Sequence, residues 1–553
     1  MTRTNSTLRI GNASGFYGDR FDAVREMLEG GPLDVLTGDY LAELTMLILG
    51  RDLMKDPTKG YAKTFLRQLE GSLGTAVERG VKIVANAGGL NPAGLATAIR
   101  ELADRLGITV AVAHVEGDDV RGQFEGFLTA NAYLGCWGIV EALNAGADIV
   151  VTGRVTDASL IVGPAAAHYG WARDDWDALA GATVAGHVIE CGAQATGGNF
   201  AFFTEIPDLS HAGFPIAEIA ADGSSVITKH AGTGGAVTTE TVTAQLLYEI
   251  GGPNYLGPDV VSRFDTINLA QAAPDRVSIT GVKGTPPPPD AKVCLNKLGG
   301  FRNSMTFVLC GLDVAAKADL VKRQLTERIG SDGVTWSLGT VAHDEPATEE
   351  AASALLHVTI KDADGKRSGR AFSQAAVELA LASYPGFHVT APPGDATPFG
   401  VFSAAYLPQQ AIAHTVVLPD GRRVEVTPPA QTAAVEPTTS AEPDSEPVAT
   451  ARFRIGERFG ARSGDKGGDA NLGVWARNDE DYAWLSTTLS SARLKELLPE
   501  LKDLIVERHP LPNLRAVNFV VRGLLGEGVA ASTRFDPQAK ALGEWLRSVE
   551  VSV

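Results

Sequence analysis

Five short segments gather glycine with residues able to move protons or hold a carbonyl group. They are Gly11–Asp19 (GNASGFYGD), Thr37–Tyr40 (TGDY), Asn86–Pro92 (NAGGLNP), Glu116–Asp119 (EGDD) and Gly153–Asp157 (GRVTD). Asp39 is the candidate proton-transfer group there, with Tyr40 as an acid partner. Asn86 and Asn91, with glycine N–H groups, are candidate donors to a carbonyl oxygen, and Asn12 is a further hydrogen-bonding group. Arg154 and Asp157 have the chemistry to orient a carboxylate or hydroxyl. Each segment taken alone also reads as an ordinary turn, because glycine, asparagine and aspartate are turn formers.

Three later segments add to this set. Glu190–Asn199 (ECGAQATGGN) offers Glu190 as an acid or base, with Gln194, Thr196 and Asn199 as polar contacts. Cys191 in the same run reads more readily as a small buried hydrophobe than as a nucleophile. Lys229–Val237 (KHAGTGGAV) leads into a helical pattern, so His230, Thr233 and Gly234 could hold an anion at a helix N-terminus; a capped helix with a structural histidine is the alternative. It lacks the spacing of nucleotide-binding loops. Ala461–Asp469 (ARSGDKGGD) packs two cations and two acids around three glycines. Arg462 and Lys466 are its anion-binding pair, with Ser463 and Asp465 beside them.

The elements needed to position these residues are legible in the first 160 positions. Strand patterns at Leu8–Ile10, Asp34–Leu36, Lys82–Ala85, Ile108–His114 and Asp148–Thr152 alternate with helical patterns. Those helices are expected at Phe21–Glu29, Leu41–Leu53, Tyr61–Arg79, Pro92–Leu106 and Gly122–Ala145. Such alternation predicts an α/β fold with a parallel sheet, whose carboxyl edge would carry all five loops. From 180 to 425 the pattern is mixed and less regular. Residues 427–450, rich in Pro, Thr, Ala and Glu, read as a flexible linker. The expected organisation is an α/β main domain at 1–426, that linker, and a ferredoxin-like α+β domain at 451–553. A flexible stretch of this length reaches about 25–30 Å, enough for Ala461–Asp469 to close a site bearing Asp39, Asn86 and Glu190, in cis or in trans.

Composition narrows the chemistry. The 553 residues carry 48 Lys+Arg against 66 Asp+Glu, a formal net charge of −18, which disfavours nucleic acid and anionic membranes as partners. Four dispersed cysteines form neither a disulfide scaffold nor a zinc site. No H-x-H, H-E-x-x-H or calcium-loop pattern occurs, so no metal is expected. No redox-cofactor motif occurs either, and coenzyme A enters only as part of a substrate. Without a signal-peptide core or a membrane-length apolar run, a cytoplasmic protein is expected. A homo-oligomer is the default expectation, since glycine-rich segments of large metabolic proteins are often buried by neighbours.

The blocks GNASGFYGD, LTGDYLAELTM, ANAGGLNP, VVTGRVTDASL, ECGAQATGGNF, KHAGTGGAVT, LLYEIGGPNYL, CLNKLGGFRNS and ARSGDKGGDANLGV together resemble the acyclic terpene utilisation protein A (AtuA) family. The resemblance spans roughly residues 8–425, and the tail resembles the family's ferredoxin-fold domain. It implies a catabolic setting among acyclic terpenoid and acyl-CoA enzymes, and it assigns no catalytic residues. The leading expectation is an enzyme that hydrates, dehydrates or otherwise performs a lyase step on a branched or unsaturated acyl-CoA or its carboxylate. A non-catalytic scaffold subunit is the second reading. Thioester or ester hydrolysis is a weaker third, because no G-x-S-x-G elbow is present.

Overall fold

Short β-branched runs such as Ile149–Thr152 are apolar on both faces, so they are stable only between two layers. The computed structural model, which describes residues 7–339, 345–436, 438, 440–443 and 452–552, places them there. Strands β1 (Leu8–Asn12), β2 (Val35–Gly38), β3 (Lys82–Ala85), β4 (Val112–Glu116), β5 (Thr129–Ala132) and β6 (Ile149–Thr152) come first in the chain. Five of these six lie side by side in the order β1-β2-β3-β6-β4 within an eleven-stranded sheet. All four contacts among them are parallel, with Ile10 opposite Val35, Leu36 opposite Ile83, and Val150 opposite both Val84 and Ala113. Their carboxyl ends therefore share one edge, and the five polar loops leave from it. Antiparallel strands extend the sheet on both sides, beginning with Pro215–Ile219 beside β1 and Thr415–Val417 beside β4.

Two helical expectations are corrected. Tyr61–Arg79 is two helices, Lys63–Glu70 and Leu73–Arg79, broken at Gly71. Gly122–Ala145 holds only the helix Trp137–Asn144; the stretch before it contains β5, which pairs with Val293–Asn296. A partner strand more than 160 residues away decides that segment's conformation, and local periodicity does not register it.

The chain divides into two compact units: residues 1–296, 402–529 and 538–553 form one, and residues 297–401 and 530–537 form the other. In the second unit, Phe301–Cys310 pairs antiparallel with Ser353–Asp362, and the helix Val314–Ile329 contributes Val321 and Leu325 to its core.

Within the first unit lies the C-terminal four-stranded antiparallel sheet. Its order is Phe459–Lys466, Asp469–Ala476, Ala516–Val521 and Val506–Leu511, with the helices Asp479–Thr488, Ser491–Leu497 and Leu542–Ser548. The expected glycine-rich loop at Ala461–Asp469 is instead most of a β-hairpin that turns at Gly467 and Gly468. Packing explains the glycines: a Cβ on Gly464 would stand 2.4 Å from the Tyr248 ring, and one on Gly473 2.5 Å from Leu247. The hairpin thus lies flat on the turn after the helix Thr239–Leu246. The described part of 427–450 is hydrogen-bonded along its course: Ala433 N–H donates to Pro287 O at 2.9 Å and Ala441 N–H to Arg508 O at 3.0 Å. Among the described residues, no helix is long and apolar enough to cross a membrane.

Candidate functional site

At the carboxyl end of β2, Asp39 Oδ1 accepts from Asn86 Nδ2 at 2.5 Å and from Leu41 N–H at 3.2 Å. Asn86 Oδ1 accepts from Tyr40 N–H at 2.7 Å, so this amide positions Asp39. Asn12 Nδ2, at the end of β1, donates to Ser14 O, Ile189 O and Glu190 O at 2.9, 2.8 and 3.0 Å. It ties the sheet edge to the end of the helix Trp176–Ile189, which Glu190 caps. Beyond β6, Arg154 is 2% exposed, donates to Asp157 Oδ1 at 2.7 Å and Leu41 O at 3.1 Å, and lies 4.3 Å over the Tyr133 ring. Its Nε is buried without a partner.

Glu190 Oε1 stands 3.1 Å from His187 Nδ1, one helical turn back. Glu190 Oε2 and His187 Nε2 are both buried and unpaired. Unpaired buried polar atoms are costly, so this pair is arranged for something other than stability. Burial, and then the neighbouring Asp157, pushes both Asp39 and Glu190 well above the usual carboxylate range. Burial, and then Lys466, holds the His187 imidazole down at about 4. Burial thus disfavours the charged form of both Glu190 and His187.

Glu43 begins the helix Glu43–Lys55 and accepts from Tyr133 Oη at 3.0 Å and Lys292 Nζ at 3.4 Å. Burial works against its charge, but Lys292 and Arg154 outweigh it and hold the carboxyl at about 2. From the C-terminal hairpin, Arg462 donates to Gln194 Oε1 and stacks 4.2 Å over Tyr248. Lys466 Nζ donates to Glu249 O at 2.6 Å; burial, and then nearby Lys292, lowers its affinity for a proton. Burial, and then Glu249, pushes Asp465 up to about 8.

Asp39, Asn86, Arg154, Asp157 and Glu190 therefore share one region with Gln194, Arg462, Asp465 and Lys466. Other expected residues serve the fold. Tyr40 turns into the core, where its hydroxyl donates to Gln68 Oε1 at 2.5 Å and its ring meets Phe65 edge-on. Asn91 caps the helix Pro92–Leu106 by accepting from Gly94 N–H at 2.9 Å. Thr196 Oγ1 donates to Gly213 O at 2.6 Å, and Ser463 Oγ accepts from Gly543 N–H at 2.9 Å. His230 Nε2 lies 2.9 Å from Met27 O. Thr233 Oγ1 donates to His230 O at 2.7 Å, and Gly234 O accepts from Gly213 N–H at 3.0 Å. The expected anion turn is thus closed on itself, and the helix after it is capped by Thr238. Asn199 is an exposed turn residue at φ 56°.

Glu43, Tyr133, His187, Glu249 and Lys292 belong to the site without having been singled out from the sequence. Only His187 left a local signal, its i,i+3 spacing to Glu190. Among the described residues no three His, Cys, Asp or Glu groups are placed to hold a metal ion. A cleft of about 590 Å³ lined by Tyr169, Trp171, Trp176 and Asp222 lies by the amino end of β1, away from these groups.

A mixed α/β protein with a charged site at its parallel-strand ends and a second α+β sheet packed over it is the class this geometry defines. Residues 8–418 match the acyclic terpene utilisation family protein AtuA, and residues 457–552 match the AtuA ferredoxin-like domain. The chain belongs to the AtuA family. The family is one of acyclic terpene utilisation. No curated protein matches the chain.

Proposed function

We propose that the protein is an acid/base enzyme that hydrates or dehydrates an acyl compound, a branched or unsaturated acyl-CoA or its carboxylate. The observation that carries this reading is the meeting of two carboxyls whose proton affinity burial raises, Asp39 and Glu190, with Arg154, Lys292 and Lys466. Neutral carboxyls can give protons, while the cations favour an anionic substrate and an enolate-like oxygen. Arg154, with its unpaired Nε–H, takes over the carbonyl-holding part expected of Asn86 and Asn91. In the hydration direction a carboxylate takes a proton from water as the water oxygen bonds to the β-carbon. The C=C electron pair moves toward the α-carbon, which receives a proton from a neutral carboxyl. Passage of the captured proton to the spent acid restores both groups. Cys191 takes no part as nucleophile, because burial and then Glu190 keep its thiol protonated.

The test is turnover and binding of a broad acyl-CoA panel by wild type, Glu190→Gln and Asp39→Asn. Glu190→Gln should lose about 10²–10⁴-fold in kcat with little change in affinity. A wild type that consumes no member of the panel overturns the reading; binding unchanged in both variants, without turnover in any, marks a scaffold.

A further inference from the structure

Glu190 has two carboxyl oxygens in different surroundings, and only one of them has a partner. We propose that His187 is a positioning residue whose Nδ1–H clamps Glu190 Oε1, so that Oε2 alone exchanges a proton with the substrate. This rests on the acid/base reading above.

Three observations carry it. Oε1 lies 3.1 Å from His187 Nδ1, whereas Oε2 is buried with no partner among the described residues. Both side chains are more than nine-tenths buried, so bulk water does not compete for these atoms. Nε2, the other ring nitrogen, is also buried without a partner; the imidazole packs with its centre 5.1 Å from that of the Tyr255 ring and 5.6 Å from that of Phe264. The backbone of the pair is fixed too: Gln245 Nε2 donates to His187 O at 3.2 Å, and Asn12 Nδ2 donates to Glu190 O at 3.0 Å.

Burial disfavours the imidazolium, and a neutral ring carries one N–H, on either nitrogen. A proton on Nε2 would be a buried donor with no acceptor, the rarer kind of orphan. It would also turn the Nδ1 lone pair toward the carboxylate whenever Glu190 ionises. A proton on Nδ1 has Oε1 as its acceptor in both states of Glu190. The geometry thus selects one tautomer, and it leaves the proton of a neutral Glu190 on Oε2. When Glu190 acts as the acid, the Oε2–H bond breaks and the C=C electron pair forms the new bond from the α-carbon to that hydrogen. Nδ1–H then meets the charge left on the carboxylate, and the ring itself neither gains nor loses a proton. Asp39, Arg154, Asp157, Glu249 and Lys466 are the charged groups that face the pair, with the Cys191 thiol and the Tyr255 hydroxyl.

The experiment uses the full chain. NMR of the imidazole nitrogens in histidine-labelled protein reads the tautomer directly, with the His187 signals identified by their loss in His187→Asn. Nδ1 should be protonated and Nε2 bare; the reverse overturns the proposal. His187→Phe keeps a ring against Tyr255 and Phe264 and removes the donor. Asparagine can return an N–H near the Nδ1 position, and glutamine near the Nε2 position. For a panel member that wild type hydrates, His187→Phe should lose at least about tenfold in kcat with KM little changed. The pH limb that disappears in Glu190→Gln should move upward in His187→Phe, because the ionised carboxylate has lost its donor. His187→Asn should restore most of the rate and the position of the limb, and His187→Gln should not. An unmoved limb in His187→Phe, or equal rescue by glutamine, overturns the proposal. Where His187→Phe does not fold, the tautomer and the comparison of asparagine with glutamine decide. If wild type turns over no member of the panel, the hydration reading falls, and the tautomer alone decides the clamp.

Discussion

Glu43 and Glu190 show how one region can push two glutamates in opposite directions. Glu190 has no cation in hydrogen-bond contact and only His187 as a side-chain partner, so desolvation dominates and raises its carboxyl well above the usual range. Glu43 faces Lys292 and Arg154, which overcome the same desolvation. A depressed carboxyl contributes stability above its unfolded pKa and loses it as pH falls toward the folded value. Glu43→Gln should therefore cost about 1–3 kcal/mol at pH 7, with the penalty fading between pH 5 and about 2. Urea melts across that range check the sign. A constant penalty at every pH would mean that packing, not charge, is the contribution of Glu43.

At the scale of elements, the C-terminal hairpin is held to the α/β layer by buried amides. Asn471 Nδ2 donates to Leu247 O at 2.8 Å and to Asn518 Oδ1 at 2.6 Å, while Asn518 Nδ2 donates to Gly251 O at 2.5 Å. Asn471→Ala should cost about 2–4 kcal/mol, since it strands Leu247 O, Glu249 N–H and the Asn518 amide away from water. Gly464→Ala should cost about 1–3 kcal/mol by forcing a Cβ into the Tyr248 ring. Both variants should also weaken ligand binding, because the same hairpin carries Arg462 and Lys466. Chemical denaturation paired with binding of the acyl-CoA panel checks this; unchanged affinity after Gly464→Ala would separate docking from the site.

At the scale of the whole molecule, a chain of net charge −18 gathers four cations at one place. Arg154, Lys292, Arg462 and Lys466 act over short distances there, so the protein's overall negative charge does not prevent anion binding. The Arg462→Ala/Lys466→Ala double variant should weaken binding of an acyl-CoA by at least about tenfold and flatten its dependence on salt. Calorimetric titration at low and at physiological ionic strength reads both effects. Equal affinity and equal salt slope in wild type and variant would remove the hairpin from the binding site.

The five strand-end loops were legible because short apolar strands alternating with helices admit few arrangements, and a parallel sheet sends every following loop to one edge. That put Asp39, Asn86, Arg154 and Asp157 together before any coordinates. Direction within the loops was not legible: Asp39 and Tyr40 are neighbours just past the end of β2, yet one bonds Asn86 and the other turns to Gln68 in the core. Nor was β5 legible, since its strand partner lies at residues 293–296. The AtuA motifs identified the family, and they did not mark Glu43, Glu249 or Lys292 as members of the site. Those residues acquire their chemistry from contacts across more than two hundred positions, such as Glu249 to Asn471 and Lys292 to Glu43. Burial and charge from distant segments set a carboxyl's proton affinity, and only the packed structure supplies both.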